Sequence, residues 1–480
     1  MERRAVTYFL PRRCGTTTNN FQRIFIGNRP QASYQSNWAI KAEKGLTDTA
    51  EVSVKATELP YSPLARLPVS SVIRSLLLSI FFTSPLLFNP GLAIFSRIAH
   101  SNTVFLNPDK NPILRAVIRP VIYDQFCAGR NEREIQNTSK AIKQLGFSGA
   151  VLCYGKEVQF STESGFHGYS GKASAVEVEV EQWKEGNLST LDMTQEGDWL
   201  GVKLTGAGLQ ITQALMNDES APEVWVRAMD EICEKAASRG CRIWIDSEQQ
   251  VFQPSIDRWT FDLMRKYNRG EKPLVYNTIQ AYLKSARQKT QRQMQIAADE
   301  GWKSAIKLVR GAYIAIDARE NIHDTKAETD DCYNGIVEDL LRGTGFTVFE
   351  SNPDLKYDLL CAGHNTQTIR GAARLADDLM KESKLKVQVE FAQLQGMADD
   401  IGCELIQRGE NAINQNKATG QKVFVPKVYK CLTWGSIQEC MQYLFRRLVE
   451  NRGAAARMKE GIPRLKKELW ERLTLSRKHV

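Results

Sequence analysis

The sequence predicts an α/β fold, a (βα)8 TIM-like barrel with an N-terminal helical arm, and three observations predict it. From about Arg133 onward, short β-prone runs alternate with longer amphipathic stretches. Eight such runs can be found, which favours a closed barrel over an open doubly wound sheet. The runs are continuously apolar rather than alternating, as strands of a parallel sheet covered by helices should be.

The elements follow in order. Residues 1–40 carry Arg3, Arg4, Arg12, Arg13, Arg23 and Arg29 against Glu2 alone, and no further acid occurs before Glu43. A basic stretch of this kind, without a continuous apolar core, reads as a mitochondrial transit peptide rather than a secretory signal. Residues 41–132 form the arm. Its apolar segment, 73–98, is broken by Pro85 and Pro90 with Asn89 between them. Two apolar helices joined by a Pro-bounded turn fit this pattern, packed on the protein or lying on a membrane surface, and peripheral association is preferred to a span.

Residues 133–480 form the barrel. Its expected strands are Gly149–Tyr154, Leu200–Leu204, Arg242–Asp246, Leu274–Thr278, Ala305–Val309, Asp358–Ala362, Lys386–Phe391 and Lys422–Val425. Helix-like segments such as Glu223–Ser238 and Thr366–Lys381 lie between them. The segment Val176–Gly197 is rich in polar residues and reads as an insertion after the first strand. From Arg446 to Lys478 the chain is again basic, with eleven Lys or Arg against four acids.

Composition excludes several function classes. The formal charge of +9 resides mainly in the two ends, and no basic stripe interleaved with aromatics crosses the middle, so no nucleic-acid partner is expected. The ten cysteines form no CxxC pair and are expected to be thiols. Five histidines without an HxH or HxxxH spacing argue against a metal centre. Neither GxGxxG nor GxxxxGK[ST] follows a strand, so no Rossmann or P-loop site is signalled.

In a barrel of this type chemistry gathers where strands end. The strand ends here carry Lys203, Asp246 with Glu248, Asn277 with Gln280, the run KLVRGAY (Lys307–Tyr313), Gly363-His364-Asn365, and EFAQLQGM (Glu390–Met397). Polar residues at one rim of successive strands converge on one mouth. Near the end of the chain, YLFRRLVEN places Tyr443, Arg446 and Arg447 at i, i+3 and i+4 of a helix. Paired guanidiniums beside an aromatic make a bidentate carboxylate clamp. Glu450, one turn on, is placed to offset their charge or to accept from a ribose hydroxyl.

KLVRGAY, GHN, EFAQLQGM and YLFRRLVEN, in this order and at these intervals, resemble the proline dehydrogenase family in its monofunctional mitochondrial, fungal-like form. The resemblance covers roughly residues 135–460. It implies FAD held at the rim of a barrel without a Rossmann fold. It also implies oxidation of L-proline to Δ1-pyrroline-5-carboxylate, with electrons passed to a respiratory quinone at the matrix side of the inner membrane. By the same resemblance Arg446, Arg447 and Lys203 pair with the substrate carboxylate, Asp246 orients this basic cluster, and Tyr443 and Leu308 pack the substrate ring. Lys307 occupies the position that hydrogen-bonds flavin N5, and Gln280, Arg310, Gly311, His364, Asn365, Gln393 and Glu450 fall where the family contacts FAD. One stretch departs from the family pattern: where a tyrosine and a proline are usual before the Arg-Arg helix, this chain has Lys430–Gly435, with Cys431 at the tyrosine position. This leaves hydroxyproline as the alternative substrate.

Overall fold

The structure is a computed structural model that describes residues 62–101, 103–154, 159–161, 165–167, 176–450 and 454–474. The side chains of 446–450 and 454–457 fall outside the described set. The transit segment expected over residues 1–40 also lies outside it.

Eight parallel strands close into a barrel in sequence order, with the last hydrogen-bonded to the first. They are β1 (Gly149–Tyr154), β2 (Trp199–Val202), β3 (Arg242–Ile245), β4 (Val275–Gln280), β5 (Ser304–Val309), β6 (Tyr357–Ala362), β7 (Gln388–Leu394) and β8 (Lys427–Trp434). Closure sets Gly149 opposite Tyr429 and Trp434 opposite Tyr154.

Seven strands fall where the apolar runs predict them. The eighth does not. Lys422–Val425 is irregular, and the strand begins at Lys427, after Pro426. Pro426 has no N–H for the ladder and biases Val425 away from regular pairing, so the sheet starts only beyond it.

A second expectation is also corrected. Val176–Met193 is not an insertion but a barrel helix that buries Val180, Trp183, Leu191 and Met193. The excursion after β1 is instead a short antiparallel hairpin, Gln159–Ser161 with Gly165–His167.

The arm precedes the barrel. Helix α1 (Val69–Thr83) and helix α2 (Pro85–His100) meet at Ser84 with a bend of 101°. The break falls at Pro85, whereas Pro90 lies inside α2 without ending it. Among the described residues no single helix is long and apolar enough to cross a membrane, though the bent pair together reaches that length. Of the later helices, α3 (Thr366–Lys381) and α4 (Asp399–Thr419) cover the outer face of the sheet. Then α5 (Ile437–Glu450) packs on α2, and α6 (Ala454–Leu473) packs on α1.

The lower end of the barrel is filled. Trp199, Tyr276 and Tyr429 meet there edge to face, with ring centroids 4.7 and 5.7 Å from Trp199. The Arg242 guanidinium lies 3.8 Å over the Trp199 ring, pairs with Glu390 at 2.8 Å and donates to the Tyr429 hydroxyl at 2.9 Å. Asp358 accepts from the Tyr276 hydroxyl at 3.0 Å and pairs with Lys303 at 2.9 Å. Its carboxyl is held above the usual carboxylate range, because burial outweighs these partners. These residues sit at or near the starts of their strands, so the opposite rim is the one formed by the strand ends.

Candidate active site

Side chains alternate along a strand, so one inward residue fixes the direction of its neighbours. On β5 the inward residue is Lys307. Its ammonium pairs with Asp246 at 2.5 Å and lies 3.8 Å over the Trp244 ring. Asp246 follows the end of β3, and its second carboxylate oxygen lies 3.9 Å from the ammonium of Lys203, just past β2. Lys203 in turn donates to the Tyr313 hydroxyl at 3.3 Å. Three strand ends thus bring together two lysines and the aspartate between them. This trio holds more positive than negative charge at the open end of the barrel, which favours an anionic partner.

Beneath the trio, Gly201 lets two bulkier groups approach. A Cβ at that position would lie 2.5 Å from Cys153 Sγ and 2.6 Å from Trp244 Nε1. Cys153 Sγ lies 3.7 Å from Cys431 Sγ. Its thiol pKa is raised well above the usual value, first by the contact with Cys431 and then by burial. Cys153 therefore stays protonated and contributes small, neutral wall beside Cys431 rather than a nucleophile.

Around this centre lie further groups at the rim. Gln280, the last residue of β4, donates from Nε2 to the Glu248 carbonyl at 3.1 Å, while its buried Oε1 has no partner among the described residues. Arg310 stacks on Tyr333 at 4.6 Å, pairs with Asp330 at 2.6 Å and donates to Thr368 Oγ1 at 2.9 Å. Gly311 has φ +144°, and a Cβ there would sit 2.1 Å from the Tyr282 ring, so only glycine fits. His364 Nε2 accepts from the Leu394 backbone N–H at 3.0 Å, which assigns the imidazole proton to Nδ1. Asn365 caps α3 by accepting from the Thr368 N–H.

Two expected residues do not reach the mouth. With Lys307 inward, Leu308 points outward and is buried in the helix-covered cluster with Ile306, Tyr333 and Ile369. It cannot pack a substrate ring inside the barrel. Gln393 pairs in register with Lys430, whose ammonium reaches Asp399 on α4. Its Oε1 lies 3.3 Å from the Cβ position of Gly402, on the helix side of the sheet. A role at the mouth is therefore withdrawn for both, on strand parity.

Sequence reasoning missed Trp244 and Tyr313, which support Lys307 and Lys203. Both stood inside expected elements, the strand Arg242–Asp246 and the run KLVRGAY, and their strand-end placement was the signal available.

Helix α5 carries Tyr443, which is partly buried. Arg446, Arg447 and Glu450 lie on its last turns, with side chains outside the described residues. The helix itself is firmly held. Asp109 accepts from the Ile437 and Gln438 N–H groups at 3.2 and 3.0 Å, and Gln438 Nε2 donates to the Ile98 and Ala99 carbonyls at 2.9 and 2.7 Å. Tyr123 donates to the Gly435 carbonyl at 2.7 Å. Ile437, Cys440 and Met441 are buried against Ile98, Ile118 and Tyr123.

Comparison with known proteins gives a consistent result. The chain is 30% identical over 394 residues to a probable mitochondrial proline dehydrogenase of Schizosaccharomyces pombe, covering 71% of this chain and 77% of that one. It is 33% identical over 253 residues to the human mitochondrial proline dehydrogenase 1, covering 51% of this chain and 37% of the relative. Among solved structures, proline utilization A of Bdellovibrio bacteriovorus inactivated by N-propargylglycine superposes with a TM-score of 0.57 at 16% identity. That match covers 82% of this chain and 42% of the other, and it supports the fold. The family model described as proline dehydrogenase matches residues 133–460. That span holds all eight strands, the lysine–aspartate trio and helix α5, and on this ground the chain belongs to the proline dehydrogenase family.

Proposed function

We propose that this chain oxidises L-proline to Δ1-pyrroline-5-carboxylate with FAD, passing the electrons to a membrane quinone. The observation that carries the reading is the Lys203–Asp246–Lys307 trio at the open end of the barrel, with Lys307 paired to Asp246 at 2.5 Å. An excess of positive charge there suits the carboxylate of a small amino acid.

The residues present fit a flavin. The unpartnered Oε1 of Gln280 is a buried acceptor at the rim, and the pyrimidine edge of an isoalloxazine offers an N–H donor. Lys307 would lie near the reactive nitrogen of the ring. Arg310, beside the N-terminus of α3, suits the pyrophosphate, with Gly311, His364, Asn365 and Glu450 completing the cofactor contacts. When bound, the flavin supplies a two-electron acceptor for hydride from C5 of proline.

The protein's own part is orientation. Arg446, Arg447 and Lys203 hold the carboxylate, Asp246 fixes the lysines, and Tyr443 closes over the ring. Holding the substrate in this way turns an encounter into a positioned reaction. The amine must lose its proton before its lone pair can form the imine, and no side chain at the mouth is required as its base.

The S. pombe and human relatives carry "mitochondrial" in their names, and the Arg-rich N-terminus agrees with import to that compartment. The apolar elbow of α1 and α2 suits peripheral contact with the inner membrane from the matrix side.

Purified protein supplied with FAD should be yellow and lose that colour when L-proline is added without oxygen. A stable colour in the presence of proline would remove the assignment. Arg446→Met and Arg447→Met should each weaken proline binding at least about tenfold, the cost of a lost charge-assisted contact, while FAD content is retained. Unchanged proline affinity would refute the clamp.

A second reading, hydroxyproline as the preferred substrate, is favoured by Cys431. Its small side chain lies 3.7 Å from Cys153 Sγ, at the position where a bulkier tyrosine is usual in the family pattern. Comparison of kcat/KM for the two substrates decides between them.

A further inference from the structure

A cavity is present whose lining includes none of the lysine–aspartate trio. Its volume is about 560 Å³, within the range of small-molecule sites and far beyond ordinary packing voids. It sits inside the elbow of α1 and α2, where Leu92 and Phe95 line it, and Ile122 closes one side. The remaining wall belongs to the rim of the barrel: Met397, just past β7, and Met441 and Leu444 on α5, the helix that bears Tyr443.

The lining defines the ligand chemistry. Among the described lining residues Thr83 and Asn89 are the polar side chains, and none is charged. An amino acid would strand its carboxylate and ammonium there, so this is no second substrate site. A phospholipid would bring a phosphate that no described lining cation meets. What remains is a neutral amphiphile with a long hydrocarbon chain. A route for it exists, since Leu77, Ile80, Leu86, Leu87 and Ile94 on the same two helices are exposed, Leu86 at 87%. Such a continuous apolar face marks contact with a lipid phase.

We propose that this cavity seats the hydrocarbon tail of a benzoquinone-type electron acceptor and so delivers its ring to the barrel rim. The inference rests on the flavoenzyme reading above. The balance closes: two electrons and two protons leave the C5–N bond of proline, and the same number convert the quinone to its hydroquinone.

The test separates the two claims. Anaerobic bleaching by proline reports on the flavoenzyme reading alone. The bleached full-length enzyme is then mixed with decyl-ubiquinone or with the same ring bearing only a methyl group. The decyl compound should act at concentrations at least about tenfold lower, as burial of its methylenes requires. Leu92→Trp should abolish that advantage and leave the methyl compound within about twofold of wild type. Binding is also read without turnover: fluorescence of the polyene parinaric acid should rise with wild-type protein and fall when decyl-ubiquinone displaces it. Should Leu92→Trp fail to fold, n-decanol added to wild type should compete with the decyl compound only. Equal use of both quinones, no binding of the polyene, or inhibition by decanol of both alike would overturn the proposal. Each is the outcome expected if another part of this chain or a second copy fills the cavity.

Discussion

Lys307 depends on what lies beneath it. Its ammonium rests on the Trp244 ring, and Trp244 can occupy that position because residue 201 has no side chain. Gly201→Ala places a methyl group 2.5 Å from Cys153 Sγ and 2.6 Å from Trp244 Nε1, so one of the two must move. Overpacking of this kind costs about 1–3 kcal/mol. The urea midpoint should fall accordingly, and flavin reduction should slow as the Lys307–Asp246 pair loses its support. A midpoint equal to wild type would show that the wall yields freely. At this scale, much of the site was legible: Lys203, Asp246 and Gln280 all stand at strand ends, and the structure gathers them at one rim. Leu308 and Gln393 failed because a motif names neighbours together, whereas a strand sends them to opposite faces. Fixing the parity of β5 from Lys307 was enough to exclude Leu308.

Helix α5 illustrates what a contiguous pattern cannot reveal. Its own residues predict the helix, but its N-terminal N–H groups are capped by Asp109, more than three hundred residues away. Asp109→Ala leaves two donors without partners and should cost about 1 kcal/mol of local stability. Because α5 carries Tyr443 and the arginine pair, KM for proline should rise. An unaltered KM would mean that Gln438 and Tyr123 suffice to hold the helix. Strand placement followed apolar runs wherever such runs stood alone. It failed at β8, where Pro426 divides two β-prone stretches and the sheet takes the second. The helix at Val176–Met193 was misjudged because glutamates alternate with its valines, hiding the face that buries Trp183.

Across the whole molecule, the arm and the barrel are one structure, with α1 against α6 and α2 against α5. The exposed apolar side of α1 and α2 points away from this contact. Full-length protein should float with lipid vesicles in a density gradient, and Leu86→Glu combined with Leu87→Glu should leave it in the dense fraction. Flotation of the double variant would assign membrane contact to another surface. The stack of Trp199, Arg242, Tyr276 and Tyr429 at the other end has a separate consequence. Among the described residues these packed side chains stop that end, so under the proposed function reactant and product would share the other rim. Under that reading each spent molecule backs out before a fresh one enters, and accumulating imine should obstruct the enzyme by standing where proline would stand.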